Sequence, residues 1–173
     1  MDTNNNPSEN FIYYLERLLN LVDKISRFSN HNPDILNACL IADMLPLNSQ
    51  IATSTNFALR ACCPLAGRAV VSFMQNTSSF EGLTQGIRDT IDYLKTISAE
   101  EFNRPNDEVL RERAGFTEVA LPREKFLHAY ALPNFYFHLS MVYAIARSHG
   151  VPLSKGDFDG YHIYPEGFSF VTK

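Results

Sequence analysis

Apolar residues recur every three or four positions along "NFIYYLERLLNLVDKISRFS", at Phe11, Leu15, Leu18, Val22, Ile25 and Phe28. That spacing places them on one face of a helix. Ser8 and Asn10 are candidate caps for its start, and "NHNPD" ends it because Asn and Pro favour a turn. Ile35 to Met44 reads as a short apolar connector to a second helix. Pro46 suits the first turn of that helix, where a missing N–H costs nothing. Leu47, Ile51, Ser54, Ala58 and Ala61 share one side of it, mostly small residues beside which another helix can pack closely. Pro64 and Gly67 close it.

After the connection "RAVVSFMQNTS", the pattern predicts a third helix from about Ser79 to Ile97, with Phe80, Leu83, Ile87, Ile91 and Leu94 as its stripe. Ser78 and Glu81 have capping-box spacing. Gly82 and Gly86 weaken this helix or let another segment approach it. "VLRERAGFTEVAL" alternates well enough for a small hairpin around Ala114-Gly115. Phe126 to Gly150 is the fourth helical region, bent or restarted at Pro133. Gly150 follows its end, and Arg147 and His149 complement the carbonyl end of its dipole.

Four amphipathic helices predict an all-α antiparallel four-helix bundle. The connection of about a dozen residues between the second and third helices crosses the bundle's end or its length. The expected organisation is a single domain over residues 1–173. Residues 1–9 form a flexible N-terminus, and residues 151–173 an irregular tail whose aromatics pack on the body. No internal repeat or low-complexity segment interrupts it.

Composition narrows the function classes. The chain has 173 residues, 45% hydrophobic and 20% charged, with a net charge of −4. This suits an ordinary globular domain. Basic residues are not clustered, which argues against nucleic acid. No apolar run approaches the roughly 20 residues of a membrane helix. The polar N-terminus resembles neither a signal nor a transit peptide, so a cytoplasmic location is expected. Cys39, Cys62 and Cys63 make no CxxC and no disulfide framework. They read as small packed thiols, with Arg60 and Arg68 the only nearby groups able to activate one. GxSxG, HExxH, P-loop and dinucleotide fingerprints are absent. "DFDG" (residues 157–160) lacks the remaining ligands of an EF-hand and reads as a turn.

Three segments carry a resemblance: "DMLPLNSQI", "CCPLAG" and "ALPNFYFHLSMVYAIARSHGVPLSKGDFDG". Together they resemble a DinB-like domain-of-unknown-function family, marked by DMxPLxxQ at the second helix, LPNFxFH at the fourth and a GVPLxKxDFxG tail. The match runs roughly from Phe11 to Gly160. The resemblance implies a DinB-like four-helix bundle, usually up-down-down-up with a long second connection. It also implies dimers formed through helix faces. In the wider superfamily, metal-dependent thiol transferases and isomerases hold a metal on three histidines, one on the second helix and two spaced four apart on the fourth. By that resemblance the three positions here are Gln50, Asn134 and His138. Carboxamide oxygens are weak ligands for zinc or nickel, so no metal or other cofactor is expected.

His138, set among aromatics, has two readings. It is a general acid or base in a pocket lined by Tyr136 and Tyr143, or a packed histidine satisfied by Gln50 or Asn134. The packed role is the commoner for such a residue. Gln50 and Asn134 would orient a substrate carbonyl, or hold the imidazole in one tautomer. Asn134 equally suits a helix start. Asp43 is a candidate carboxylate partner for His138, or a cap ahead of the second helix. His128 sits three turns before His138, too far to share a metal. His31 and His149 read as loop or helix-end residues, and His162 as a packing residue of the tail. The function expected is small-molecule binding or metal-independent proton-transfer chemistry in a pocket between the second and fourth helices. The alternatives are a metal-dependent thiol transferase or hydrolase and a non-enzymatic dimeric binding module.

Overall fold

The computed structural model describes residues 6–165, 167–169 and 171. The chain is mostly helical, with one small two-stranded sheet. Helix α1 runs Pro7–Phe28, with Asn6 as its cap accepting from the Ser8 N–H and Pro7 in the first turn. Ser8 and Asn10 are therefore not the caps. The flexible N-terminus expected over residues 1–9 is corrected too: 7–9 are helical, and 1–5 lie outside the described residues. A 3-10 turn, Pro33–Asn37, occupies part of the expected apolar connector.

Helix α2, Leu47–Leu65, follows Pro46 and carries Pro64 in its last turn. Helix α3, Phe80–Lys95, is capped by Ser79, whose hydroxyl accepts the Gly82 N–H. The expected cap, Ser78, instead bonds the Asn76 side chain. Strands β1, Val109–Ala114, and β2, Thr117–Pro122, pair antiparallel with Ala114 opposite Thr117. Gly115 takes φ +61° at the first position of the two-residue turn between them. The hairpin lies where the alternation around Ala114-Gly115 placed it and adds a small sheet to a mostly helical chain.

The fourth helical region has three parts: α4, Arg123–Lys125, a π-helical turn, Phe126–Ala131, and α5, Leu132–Ser148. Pro133 sits in the first turn of α5, where the α-helix restarts after the π-helical turn, as expected. Proline has no N–H to donate, and the helix absorbs the missing rung by widening to π just ahead of it. The tail expected to be irregular contains one more short helix, α6, Lys155–Asp159. It is closed at the front by a Ser154/Asp157 capping box and at the back by Gly160 at φ +76°.

Residue contacts fix the helix directions. Glu16 reaches Lys95, while Val22 and Ser26 share a hollow with Phe80, so α1 and α3 are antiparallel. Gln50 meets His138 and Phe57 meets Tyr130, so α2 and α5 are antiparallel. Phe11 packs edge-on against Phe135, and Phe28 lies against Gly150, so α1 and α5 run the same way. Arg68, just past α2, bonds Thr96 at the end of α3. The connection then returns along α3, with Phe73 on Tyr93 and Asn76 beside Gly82. It therefore spans the length of α3, and α2 and α3 are parallel. Gly82 and Gly86 are the positions where the connection comes closest.

The core lies between these helices. Leu15, Leu18, Ile51, Leu59, Leu83, Ile87, Phe135 and Leu139 are fully buried. Each such side chain contributes about 1.5–3 kcal/mol relative to exposure. Among the described residues no helix is long and apolar enough to cross a membrane.

Candidate functional site

On α2, Gln50 points into the α2–α5 seam and is buried. Its side-chain N–H donates to the Leu45 carbonyl at 3.3 Å, in the turn just before the helix. That bond fixes which end of the amide is which, so Oε1 faces α5. The Nδ1 of His138 lies 2.8 Å from Oε1. A carbonyl oxygen only accepts, so His138 donates from Nδ1–H. The neutral ring then keeps its lone pair on Nε2. Burial holds the imidazole below the ordinary histidine range, and the nearby Arg60 guanidinium adds to the effect. His138 is half-buried, so its ring is fixed without being sealed off.

Aromatic packing completes the setting. The ring of Phe57 stacks on His138 at 5.6 Å, and Phe137 meets it edge-on at 5.2 Å. The Arg60 guanidinium lies 4.2 Å from the Phe57 centroid. It is held by Glu112 of β1 at 2.9 Å, the Arg113 carbonyl and the Tyr130 hydroxyl. The hairpin is thereby tied to α2 beside the histidine.

The other expected site residues are placed elsewhere. Asn134 lies about 40° from His138 around the helix, but its amide N–H donates to the Tyr130 carbonyl at 2.7 Å, back along its own helix. Asp43 is exposed, and no hydrogen bond or ion pair joins it to His138 among the described residues. Tyr136 and Tyr143 sit roughly 160° and 140° around the helix from His138. Tyr136 accepts from Asn10 on α1 and packs against Tyr14. Tyr143 packs against Phe158 of α6 and reaches the Leu153 carbonyl. Neither lines the histidine's surroundings, because two and five residues of helix turn the side chain away.

The sequence reading passed over Phe57, Tyr130 and Glu112, and singled out Arg60 only as a possible activator of a cysteine. Phe57 had a signal: seven residues past Gln50, two turns on, it returns to the same face of α2. Arg60 and Glu112 had none, since their meeting depends on where the hairpin docks.

Hollows lie around α6, beside α4 and between α1 and α3. None of these is lined by Gln50, Asn134 or His138. The remaining candidates have structural roles. His31 bonds Ser26, His149 bonds the Ile145 carbonyl, and His162 is held by Asp159. His128 is exposed at the rim of the hollow beside α4. Cys39, Cys62 and Cys63 are free thiols. Burial raises the pKa of Cys62 and Cys63, so neither is an activated nucleophile.

The metal that the superfamily holds on three histidines does not suit this donor set. Gln50 Oε1 is engaged by His138, the Asn134 side chain is bonded back to Tyr130, and only one imidazole is present. Among the described residues no three His, Cys, Asp or Glu side chains converge. Carboxamides do not replace imidazoles for zinc or nickel.

Comparison with known proteins agrees with the fold. A crystal structure of a DinB family member from Shewanella denitrificans is similar to this chain with a TM-score of 0.77 at 24% identity, over 94% of each chain. At that identity the likeness is one of fold. No curated protein matches the chain. Residues 8–159 match the family described as a domain of unknown function, DUF1993. With most of its length in that match, and with the fold of a DinB family member, the chain belongs to the DUF1993 family, a domain of unknown function.

Proposed function

We propose that this chain is a single-domain, DinB-like antiparallel four-helix bundle that binds an organic small molecule at His138 and uses the ring as a metal-independent proton acceptor. The observation that carries this reading is the Gln50–His138 bond. It commits Nδ1 to a buried acceptor and leaves Nε2 as the basic atom of a neutral, half-buried ring. Such a ring can take a proton from a carbon next to a carbonyl, becoming an imidazolium while Nδ1–H still donates to Gln50. It can then return the proton to another atom of the same molecule. That sequence is an isomerisation and needs no co-reactant. Arg60 supplies positive charge nearby, where an enolate would develop it in the opposite sense. Thiol transfer of the superfamily type would require metal ligands that Gln50 and Asn134 do not provide.

A second reading has its own support. Gln50 and Asn134 both close their hydrogen bonds within the protein. In a non-enzymatic binding module, the Gln50–His138 pair would serve only to join α2 to α5.

Solvent exchange separates the two. Small carbonyl compounds are incubated with the protein in heavy water and followed by proton NMR. Catalysed exchange of an α-proton that disappears in His138→Gln supports the proton-transfer reading. If no compound exchanges or shifts the His138 ring signals, while His138→Gln only loses thermal stability, the joining role stands.

A further inference from the structure

We propose a second binding site, apart from His138, in the hollow between α1 and α3, for a small zwitterion of dipeptide length. The hollow measures about 540 Å³, within the range of small-molecule sites. Its floor is apolar, formed by the buried Val22 and Phe80 and the half-buried Leu19. Four polar side chains stand around that floor: Asn20 on α1, and Glu81, Thr84 and Arg88 on α3. None of the four makes a side-chain hydrogen bond or an ion pair among the described residues. Their donors, acceptors and charges are therefore uncommitted.

Spacing supplies the other half of the argument. Glu81 and Arg88 are seven residues apart on α3, so they share one face and lie about 10 Å apart along its axis. Thr84 falls between them, one turn from each. The Glu81 carboxylate suits an ammonium, and the Arg88 guanidinium offers a planar fork for a carboxylate. An extended dipeptide spans about 7 Å, which leaves room for the two side chains to close on its ends. A single amino acid is too short to reach both. The central amide of a dipeptide lies level with Thr84 and Asn20, which offer both donors and acceptors, and its apolar side chains cover Leu19 and Phe80. Asp23 also lines the hollow, but Arg27 holds its two oxygens, each at 3.1 Å. It therefore adds little charge of its own.

The test is an NMR titration of the 15N-labelled full chain with the dipeptide alanyl-leucine. Its N-acetyl form lacks the ammonium, and its C-terminal amide lacks the carboxylate. Saturable shifts at Asn20 and Thr84 are expected at millimolar concentration. Each blocked form should bind about two- to fivefold more weakly, the range of an exposed ion pair. Glu81→Gln should bind the free and N-acetyl forms alike while still preferring a free carboxylate. Arg88→Gln should bind the free and amidated forms alike while still preferring a free ammonium. Both residues are exposed, so neither replacement disturbs the core. The proposal is overturned if alanyl-leucine gives no saturable shift, if either blocked form binds as tightly as the free dipeptide, or if either variant keeps the preference it is expected to lose.

Discussion

The Nδ1 of His138 and the Oε1 of Gln50 lie 2.8 Å apart across the α2–α5 seam, with Gln50 itself anchored to the Leu45 carbonyl. A buried amide thus dictates the tautomer of a half-buried imidazole. Replacing that amide with a carboxylate would set a negative charge against the burial and the Arg60 charge that hold the ring's pKa down. In Gln50→Glu, a negative charge beside Nδ1–H favours the imidazolium. The His138 pKa, followed by NMR, is expected to rise from below to above the ordinary histidine value of about 6.5. An unchanged pKa would show that the two side chains do not meet in solution.

The depressed pKa of His138 also sets a pH dependence of stability. The unfolded chain protonates this histidine at its ordinary pKa of about 6.5, while the folded chain resists until lower pH. Below the unfolded pKa the unfolded state therefore binds more protons, and stability falls as pH decreases until the folded pKa is reached. Denaturant melts from pH 7 to pH 5 should show a decline that is shallower in His138→Gln.

At the far end of α2, Arg68 clamps Glu101 at 2.6 Å and also bonds Thr96. The clamp holds the Glu101 carboxyl down at about 2. A lowered folded pKa gives stability that is complete above the unfolded value of about 4.3. That stability is lost as pH falls through the folded value. Glu101→Gln should remove part of the acid sensitivity below pH 4 and leave the melting profile between pH 5 and pH 7 parallel to that of the parent chain.

Ser54 is buried one turn past Gln50, and its hydroxyl has no hydrogen-bond partner among the described residues. An unsatisfied buried hydroxyl is a net cost. Ser54→Ala should stabilise the fold by about 1 kcal/mol, read from the urea midpoint. A loss of stability would mean that the hydroxyl has a partner.

Gly82 and Gly86 face the connection that runs back along α3. A Cβ on Gly82 would collide with the Asn76 carbonyl, and one on Gly86 would lie 2.9 Å from the Met74 sulfur. Alanine raises helix propensity by about 1 kcal/mol, yet overpacking of this kind costs about 1–3 kcal/mol. Gly82→Ala is therefore expected to lower the thermal midpoint, against its propensity.

The helices were legible because their stripes are long and regular: Phe11 to Ile25 and Phe80 to Leu94 are buried as their spacing requires. Their starts were less so. Asn6 and Ser79 won the cap positions from neighbours of equal chemistry. The choice depends on which residue adopts extended backbone, which composition does not encode. Pro133 marked the restart because proline's local effect is clear, whereas the π-helical turn before it is a cooperative adjustment of several residues. At the candidate site, Gln50 and His138 were singled out through motif position, and the structure places them in hydrogen-bond contact. Tyr136 and Tyr143 were grouped with His138 by nearness in sequence, although helical rotation turns them towards α1 and α6. Asp43 and Asn134 show the limit of residue type as a guide: one stays in solvent, and the other serves its own helix.

The state of the His138 ring tests the central claim most directly. A long-range proton–nitrogen correlation spectrum of 15N-labelled protein, recorded from pH 8 down to pH 5, reports tautomer and pKa together. The expected result is a neutral ring protonated on Nδ1, bearing its lone pair on Nε2, with a pKa below the ordinary histidine value and a tautomer preference that weakens in Gln50→Leu. A ring protonated on Nε2, or one that titrates at or above the ordinary value, would contradict the assignment of His138 as a fixed neutral base.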